Sequence, residues 1–450
     1  MNTLAQQLSP ASVDFFELHQ NYSPMLNLVK ELIGVIPNCD PILEIWPVGF
    51  RTYNLIVPNF LNLPLSLFGG KPDKALLGLA MYVASDTAQC AYCTAHCCSF
   101  ALRRGLSPTA LNTDDNSHSP KEKSLKEKGS KEKAVIDLAK GLSSIPANVP
   151  IHVIATLKQH FSTAQMEQLA LAVAMMGFLN KFMDALGTEL EASAISDVSR
   201  LLTPLGWSPG KHATAEQLSS VSPQSVSPQS IEQDSFRTYL RVLRQAPSAL
   251  LLERQWTKVI PGDRVRSQTY LQGTIGYHFP LVKQIGPSRV IRALTTILRD
   301  NCDRKNTVIG IEVKALCGLV FASVVDNKHL QEEAIALTKL FNPDLSEKTL
   351  QTAIQLATWP VPTQENQCQQ QLAHLMEVTG GSQQLAAALI LTRAMAHSPS
   401  KIAGAILTDI SPLLSPKAIV ELTVWISIQQ LMHRLERYYA ALTKDGNLRP

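Results

Sequence analysis

Three thiols and an imidazole fall within eight residues, Cys90-Ala91-Tyr92-Cys93-Thr94-Ala95-His96-Cys97. Thiols one helical turn apart with a histidine beside them suit disulfide chemistry or the binding of a soft metal ion. At about 100° per residue, a helix beginning at Cys90 brings Cys93 to about 60° and Cys97 to about 20° from it, a single stripe of sulfur. His96 falls about 60° beyond Cys93, near enough to exchange a proton with it. Asp86 or Thr87 is the expected helix cap. Either would leave Cys90 near the positive end of the helix dipole, where thiolate is favoured over thiol. On these grounds alone Cys90 attacks a peroxide or a disulfide, and Cys93 resolves the product into an internal bridge.

Three readings of the cluster compete. A structural zinc site wants four tetrahedral ligands, yet the candidates here share about two turns of one helix, with no second Cys or His pair at finger or ribbon spacing. Small thiols that merely pack a helix are the second reading. Redox chemistry is the third, because Cys-x-x-Cys in a reducing compartment is seldom idle. The adjacent Cys97 and Cys98 are expected as free thiols, since a helix does not permit a vicinal disulfide without distortion. Cys39, Cys302, Cys317 and Cys368 read as plain buried thiols, and Tyr92, Phe100, Met175 and Met176 as core.

The elements that must position these groups are helical. From Phe161 to Leu186, Met166, Leu169, Val173, Met176, Leu179 and Met183 recur at intervals of three and four, with Ser162 as N-cap and Gly187 as the stop. No comparable run alternates with period two, so the chain is predicted all-α. At 450 residues it exceeds what one core usually organises, and two domains or repeats are expected.

Two segments lack the apolar content to pack. Residues 112–133, rich in Lys, Glu, Ser and Gly, read as a mobile charged loop, and residues 208–234, with the tandem copies Val221–Ser225 and Val226–Ser230, as a Ser/Pro/Gln linker. The expected division is therefore 1–207, linker 208–234 and 235–450. The halves echo each other: Phe50-Arg51-Thr52-Tyr53 recurs as Phe236-Arg237-Thr238-Tyr239, with Leu65 meeting Leu251 at the same offset. Phe161–Met166 resembles Leu414–Ile419, and Lys74-Ala-Leu-Leu-Gly-Leu resembles Lys314-Ala-Leu-Cys-Gly-Leu. No Cys-x-x-Cys follows Lys314, so the second half reads as a degenerate repeat that kept the fold and lost the thiols.

Residues 79–105, followed by residues 132–190 with Asn180 inside an apolar helix, resemble the alkylhydroperoxidase and carboxymuconolactone decarboxylase superfamily. The resemblance covers residues 40–195 and reaches 236–440 through the internal echoes. It implies an all-helical subunit whose Cys pair reduces hydroperoxides or exchanges disulfides, recharged by a thiol or lipoyl-type donor protein, in homo-oligomers of trimeric symmetry. By this resemblance Cys93 is the peroxide-attacking thiol and Cys90 its resolving partner, the reverse of the dipole assignment. Two positions depart from the family pattern. The family His, four residues past the second Cys, is here Cys97, with His96 one residue early; the family Glu falls in Leu76–Leu79, which holds no acid. Asp73 and Asp86 are the nearest substitutes.

The net charge of +4 and the lack of an Arg-rich face interleaved with aromatics speak against nucleic acid as a partner. The N-terminal residues do not read as a secretory signal, and the apolar stretch Leu55–Phe68, cut by Pro58 and Pro64, is short of a membrane span. A cytoplasmic location without membrane partners is expected, as is the absence of a cofactor or metal. The predicted activity is a thiol-dependent antioxidant with Cys93, Cys90 and His96 as its catalytic residues. The alternatives are a non-enzymatic redox-sensing or scaffold relative, and a decarboxylase-type lyase.

Overall fold

The computed structural model describes residues 3–69, 72–113, 123–214, 216–217, 231 and 233–444. These are helical, with no strand among them. The N-terminal half contributes α1 (Leu4–Leu8), α2 (Phe15–Ile33), α3 (Asp40–Leu43), α4 (Pro47–Phe60), α5 (Lys74–Thr87), α6 (Ala91–Arg103), α7 (Lys123–Ser143), α8 (Ile151–His160), α9 (Thr163–Leu186) and α10 (Ala192–Leu202). The C-terminal half contributes α11 (Phe236–Trp256), α12 (Arg264–Ile275), α13 (Pro280–Gln284), α14 (Ser288–Asn301), α15 (Ile311–Val324), α16 (Lys328–Phe341), α17 (Glu347–Gln355), α18 (Glu365–Val378), α19 (Gln383–Ala396) and α20 (Pro416–Lys444).

α9 is the centre of the molecule, and its ends follow the predicted chemistry. The Ser162 hydroxyl accepts the Gln165 N–H while the Gln165 side chain accepts the Ser162 N–H, and Gly187 closes the helix at φ 66°. α9 is long and apolar enough to cross a bilayer, yet 94% of its apolar window is buried inside the protein. Its partner is α20, where the Ser415 hydroxyl accepts the Ala418 N–H at 3.2 Å. Side chains also link the halves elsewhere: Arg241 of α11 meets Glu31 of α2 at 2.7 Å, and Asn301 of α14 donates to Thr52 of α4 at 3.2 Å. The buried apolar residues of both halves form one continuous core.

The helix pair that carries the thiols has a counterpart. α5 and α15 are both 14 residues long. Each is followed by a turn with one residue at positive φ, Gln89 at 53° and Asp326 at 50°, and then by an N-cap, Cys90 or Asn327. Aligned on these ends, Lys314 stands opposite Leu77 and Cys93 opposite Leu330, a register three residues from the one the Lys74 and Lys314 echo suggests. The reason is local: Lys314 is fully buried against Glu421 at 2.8 Å, an environment Lys74 does not share. The Phe50 and Phe236 echo also joins unlike positions, since Phe50 is buried in α4 and Phe236 is 75% exposed at the start of α11.

The two packing-poor segments need revision. Lys123 onward is the helix α7, anchored by buried Ala134, Val135, Leu138, Ala139 and Leu142, so the expected loop to Lys133 ends at Lys123. Lys, Glu and Ala are strong helix formers, and an apolar stripe at the far end gives the helix a surface to dock. Residues 114–122 lie outside the described residues, as do both tandem copies in the linker. The linker's ends are packed: buried His212 accepts the Leu190 N–H through its carbonyl, and Asp234 pairs with Arg103 at 2.9 Å.

Candidate functional site

Cys90 is the N-cap of α6 and lies outside the helix, at φ −93°, ψ 93°. The expected caps Asp86 and Thr87 instead form the last turn of α5, and the chain reverses through Gln89. The Cys90 N–H donates to the Ser85 carbonyl at 3.1 Å, and the Thr94 hydroxyl donates to the Cys90 carbonyl at 2.9 Å. Cys90 thus sits at the positive end of the α6 dipole, as the spacing required, at the cap just outside the helix that carries Cys93 and Cys97.

Gly78 brings α5 against α6. A Cβ there would lie 2.7 Å from the Ala101 Cα, so only glycine allows the approach. The contact sets Ser85 beside Cys97, with the hydroxyl 3.7 Å from its sulfur. On the other side, α9 places Met176 3.8 Å from the same sulfur.

Cys93, His96 and Cys97 line one small cavity of about 80 Å³. Its remaining walls are apolar, among them Val29, Tyr53, Leu61, Phe100, Met176 and Met183. Cys93 retains 4% exposure and Cys90 none, and Cys90 is not part of the lining. All eight cysteines are free thiols and all are buried, including Cys98 and the four isolated ones. Among the described residues no three His, Cys, Asp or Glu side chains converge as a metal site.

The acid of the site is Glu191, at the N-cap of α10 just beyond α9. Its carboxylate lies 2.8 Å from His96 Nε2 and accepts the Tyr92 hydroxyl at 2.9 Å and the Asn38 N–H at 2.7 Å. The tyrosine and histidine rings lie tilted at 53° with centroids 4.7 Å apart. Asp73 and Asp86, the substitutes considered from sequence, are exposed on α5, one as its N-cap and the other in its last turn. Sequence spacing carries no signal for Glu191, which is 95 positions from the histidine it meets.

The charges divide by environment. Burial pushes the Cys93 thiol well above its ordinary range, helped by a hydrogen bond with Cys90, and raises Cys97 to about 12. Burial alone would raise Glu191 as well, but the hydrogen bond and charge of His96 with the Asn38 N–H outweigh it and hold the carboxyl below its usual value. Asp40, next to Cys39, goes the other way: burial and the neighbouring Glu191 lift it to about 8. The protonated form is thus favoured at Asp40 and the charged form at Glu191.

The C-terminal half also reaches this site. Arg434 of α20 is 1% exposed, and its Nη1 donates to the Val173 carbonyl at 2.8 Å. Its Nε has no hydrogen-bond partner among the described residues. Gly177 makes room for it, since a Cβ there would lie 2.9 Å from the Arg434 Cδ. The guanidinium is depressed to about 9 by burial, with Cys93 and Cys90 acting against that fall. Sequence reasoning singled out none of Glu191, Asp40 and Arg434. Comparison of the chain with known protein families, with curated proteins and with solved structures finds no match.

Proposed function

We propose that this protein is a thiol-dependent antioxidant that reduces organic hydroperoxides through Cys93 and Cys90. The observation that carries this reading is the meeting of Cys93 and His96 in one apolar cavity, with Glu191 holding the imidazole. An apolar chamber suits the organic part of a hydroperoxide, and a carboxylate-held histidine suits proton transfer to the oxygen that leaves.

In the proposed cycle the Cys93 thiol gives its proton to His96, and the thiolate attacks the terminal oxygen of the hydroperoxide. The O–O bond breaks, and the alkoxide takes the proton back from His96 and departs as an alcohol. Cys93 is then a sulfenic acid. The Cys90 thiol displaces its hydroxyl as water, giving the Cys90–Cys93 disulfide, and a dithiol donor of the lipoyl type returns both thiols while being oxidised to its own disulfide. The assignment of Cys93 as attacking thiol is supported by its place in the cavity lining, from which Cys90 is absent. A reducing, cytoplasmic setting suits eight free thiols.

A redox sensor is the second reading, favoured by the 4% exposure of Cys93 and its raised thiol. The test is consumption of cumene hydroperoxide by the purified chain with a dithiol donor. Turnover that Cys93→Ser abolishes supports the peroxidase. Turnover indifferent to Cys93→Ser refutes it, and stoichiometric disulfide formation without turnover leaves the sensor.

A further inference from the structure

α11 carries an apolar crest that stays exposed among the described residues. Phe236, Leu240, Leu243 and Leu251 are 75%, 49%, 47% and 60% exposed. With exposed Pro247 they fall within an arc of about 80° on the helix, while Thr238, Val242, Ala246 and Ala249 bury the opposite side. The crest continues onto the segment after α4: Leu65 is 62% and Phe68 43% exposed, and the Phe68 ring meets Tyr239 of α11 at 5.6 Å. Leu65, Pro247 and Leu251 line a surface depression with Arg254, Arg289 and Arg292.

Arginines border this crest. Arg237, Arg241, Arg244 and Arg254 are all exposed on α11. Arg241 is paired with Glu31 at 2.7 Å and Arg289 with Glu253 at 3.5 Å, while no described carboxylate pairs with Arg237, Arg244, Arg254 or Arg292. Exposed aromatic and aliphatic side chains flanked by arginine are what an interfacial helix presents to lipid: the crest enters the acyl boundary and the guanidinium groups meet phosphate.

We infer that the α11 face, with Leu65 and Phe68, docks on an anionic lipid bilayer. A second copy of the chain fits less well, because a twofold contact would set this arginine border against itself. A polyanion without an apolar layer would leave the crest in water. This revises the expectation of no membrane contact, which rested on a search for spanning segments; a docking crest becomes visible only once burial assigns each side of the helix. The segment that lines the thiol cavity with Leu61 and Leu63 brings Leu65 to the docking face two residues later. Hydroperoxides on lipid acyl chains are therefore the substrate class the face would present, and this last step alone rests on the peroxidase reading.

The test is flotation of the full chain with vesicles of phosphatidylcholine alone or mixed with phosphatidylglycerol, at low and high salt. Binding to the anionic vesicles, weakened by salt and reduced at least about tenfold by Arg244→Ala with Arg254→Ala or by Leu240→Glu with Leu251→Glu, is the expected result. These exposed positions are outside the core, and unchanged thermal melting will show that the variants fold. Absence of binding to anionic vesicles overturns the proposal, as does equal binding by the variants. So does a concentration-dependent dimer, dissolved by the Leu240 and Leu251 changes, in a chain that ignores vesicles. Repeating the flotation with Cys93→Ser separates docking from chemistry, because its binding must survive loss of turnover.

Discussion

Replacing Asp40 by asparagine isolates the electrostatic state of the site. Asp40 is 1% exposed and its carboxyl is raised from 3.8 to about 8, by burial and then by Glu191. An acid whose proton is held more tightly in the folded chain favours folding at low pH, and that contribution is lost as pH rises toward the folded value. Four decades of proton affinity at about 1.4 kcal/mol each make about 6 kcal/mol in full, spread from about pH 4 to about pH 8. Asparagine has nearly the same shape and does not ionise. The stability of Asp40→Asn relative to the native chain should therefore grow by about 4 kcal/mol between pH 5 and pH 9. Other titrating groups act in both proteins and largely cancel in the difference. Urea unfolding of both chains at the two pH values gives the number. A difference that is the same at pH 5 and pH 9 would show that Asp40 ionises normally, and the paired-carboxyl account of the site would fail.

Glu191→Gln keeps the shape of the acid and removes its charge from His96, so peroxide turnover should fall about 100-fold or more, with little change in KM; turnover equal to the native chain would remove Glu191 from the site. The glycines of the Lys74 and Lys314 echo should respond oppositely to alanine. Gly78→Ala drives a Cβ to within 2.7 Å of the Ala101 backbone and should cost about 1–3 kcal/mol. Gly318→Ala meets nothing closer than the Trp425 Nε1 at 3.5 Å and should be neutral or stabilising by up to about 1 kcal/mol. Thermal melts of the two variants decide the matter, and equal losses would refute the distinction.

Much of what near neighbours set was legible in the chain. The apolar spacing and caps of α9, the helical class, the position of Cys90 at the start of α6 and the missing thiols of the second half follow from residues within a few positions of one another. Helix periodicity and capping act over one or two turns, so spacing is enough to read them. The turn at Gln89, the start of α7 at Lys123 and the buried Lys314 were missed because the core, more than composition, decides where a helix starts and which register it keeps. The site itself was legible only in part. Cys93 and His96 could be named from their string, but Glu191, Asp40 and Arg434 are brought in by α10, α3 and α20 from distant parts of the chain. Which carboxylate reaches an imidazole, which acid keeps its proton and which charge faces a thiol depend on how much water the assembled helices exclude. Desolvation is a sum over every element that packs around a group, and the tertiary structure alone performs it.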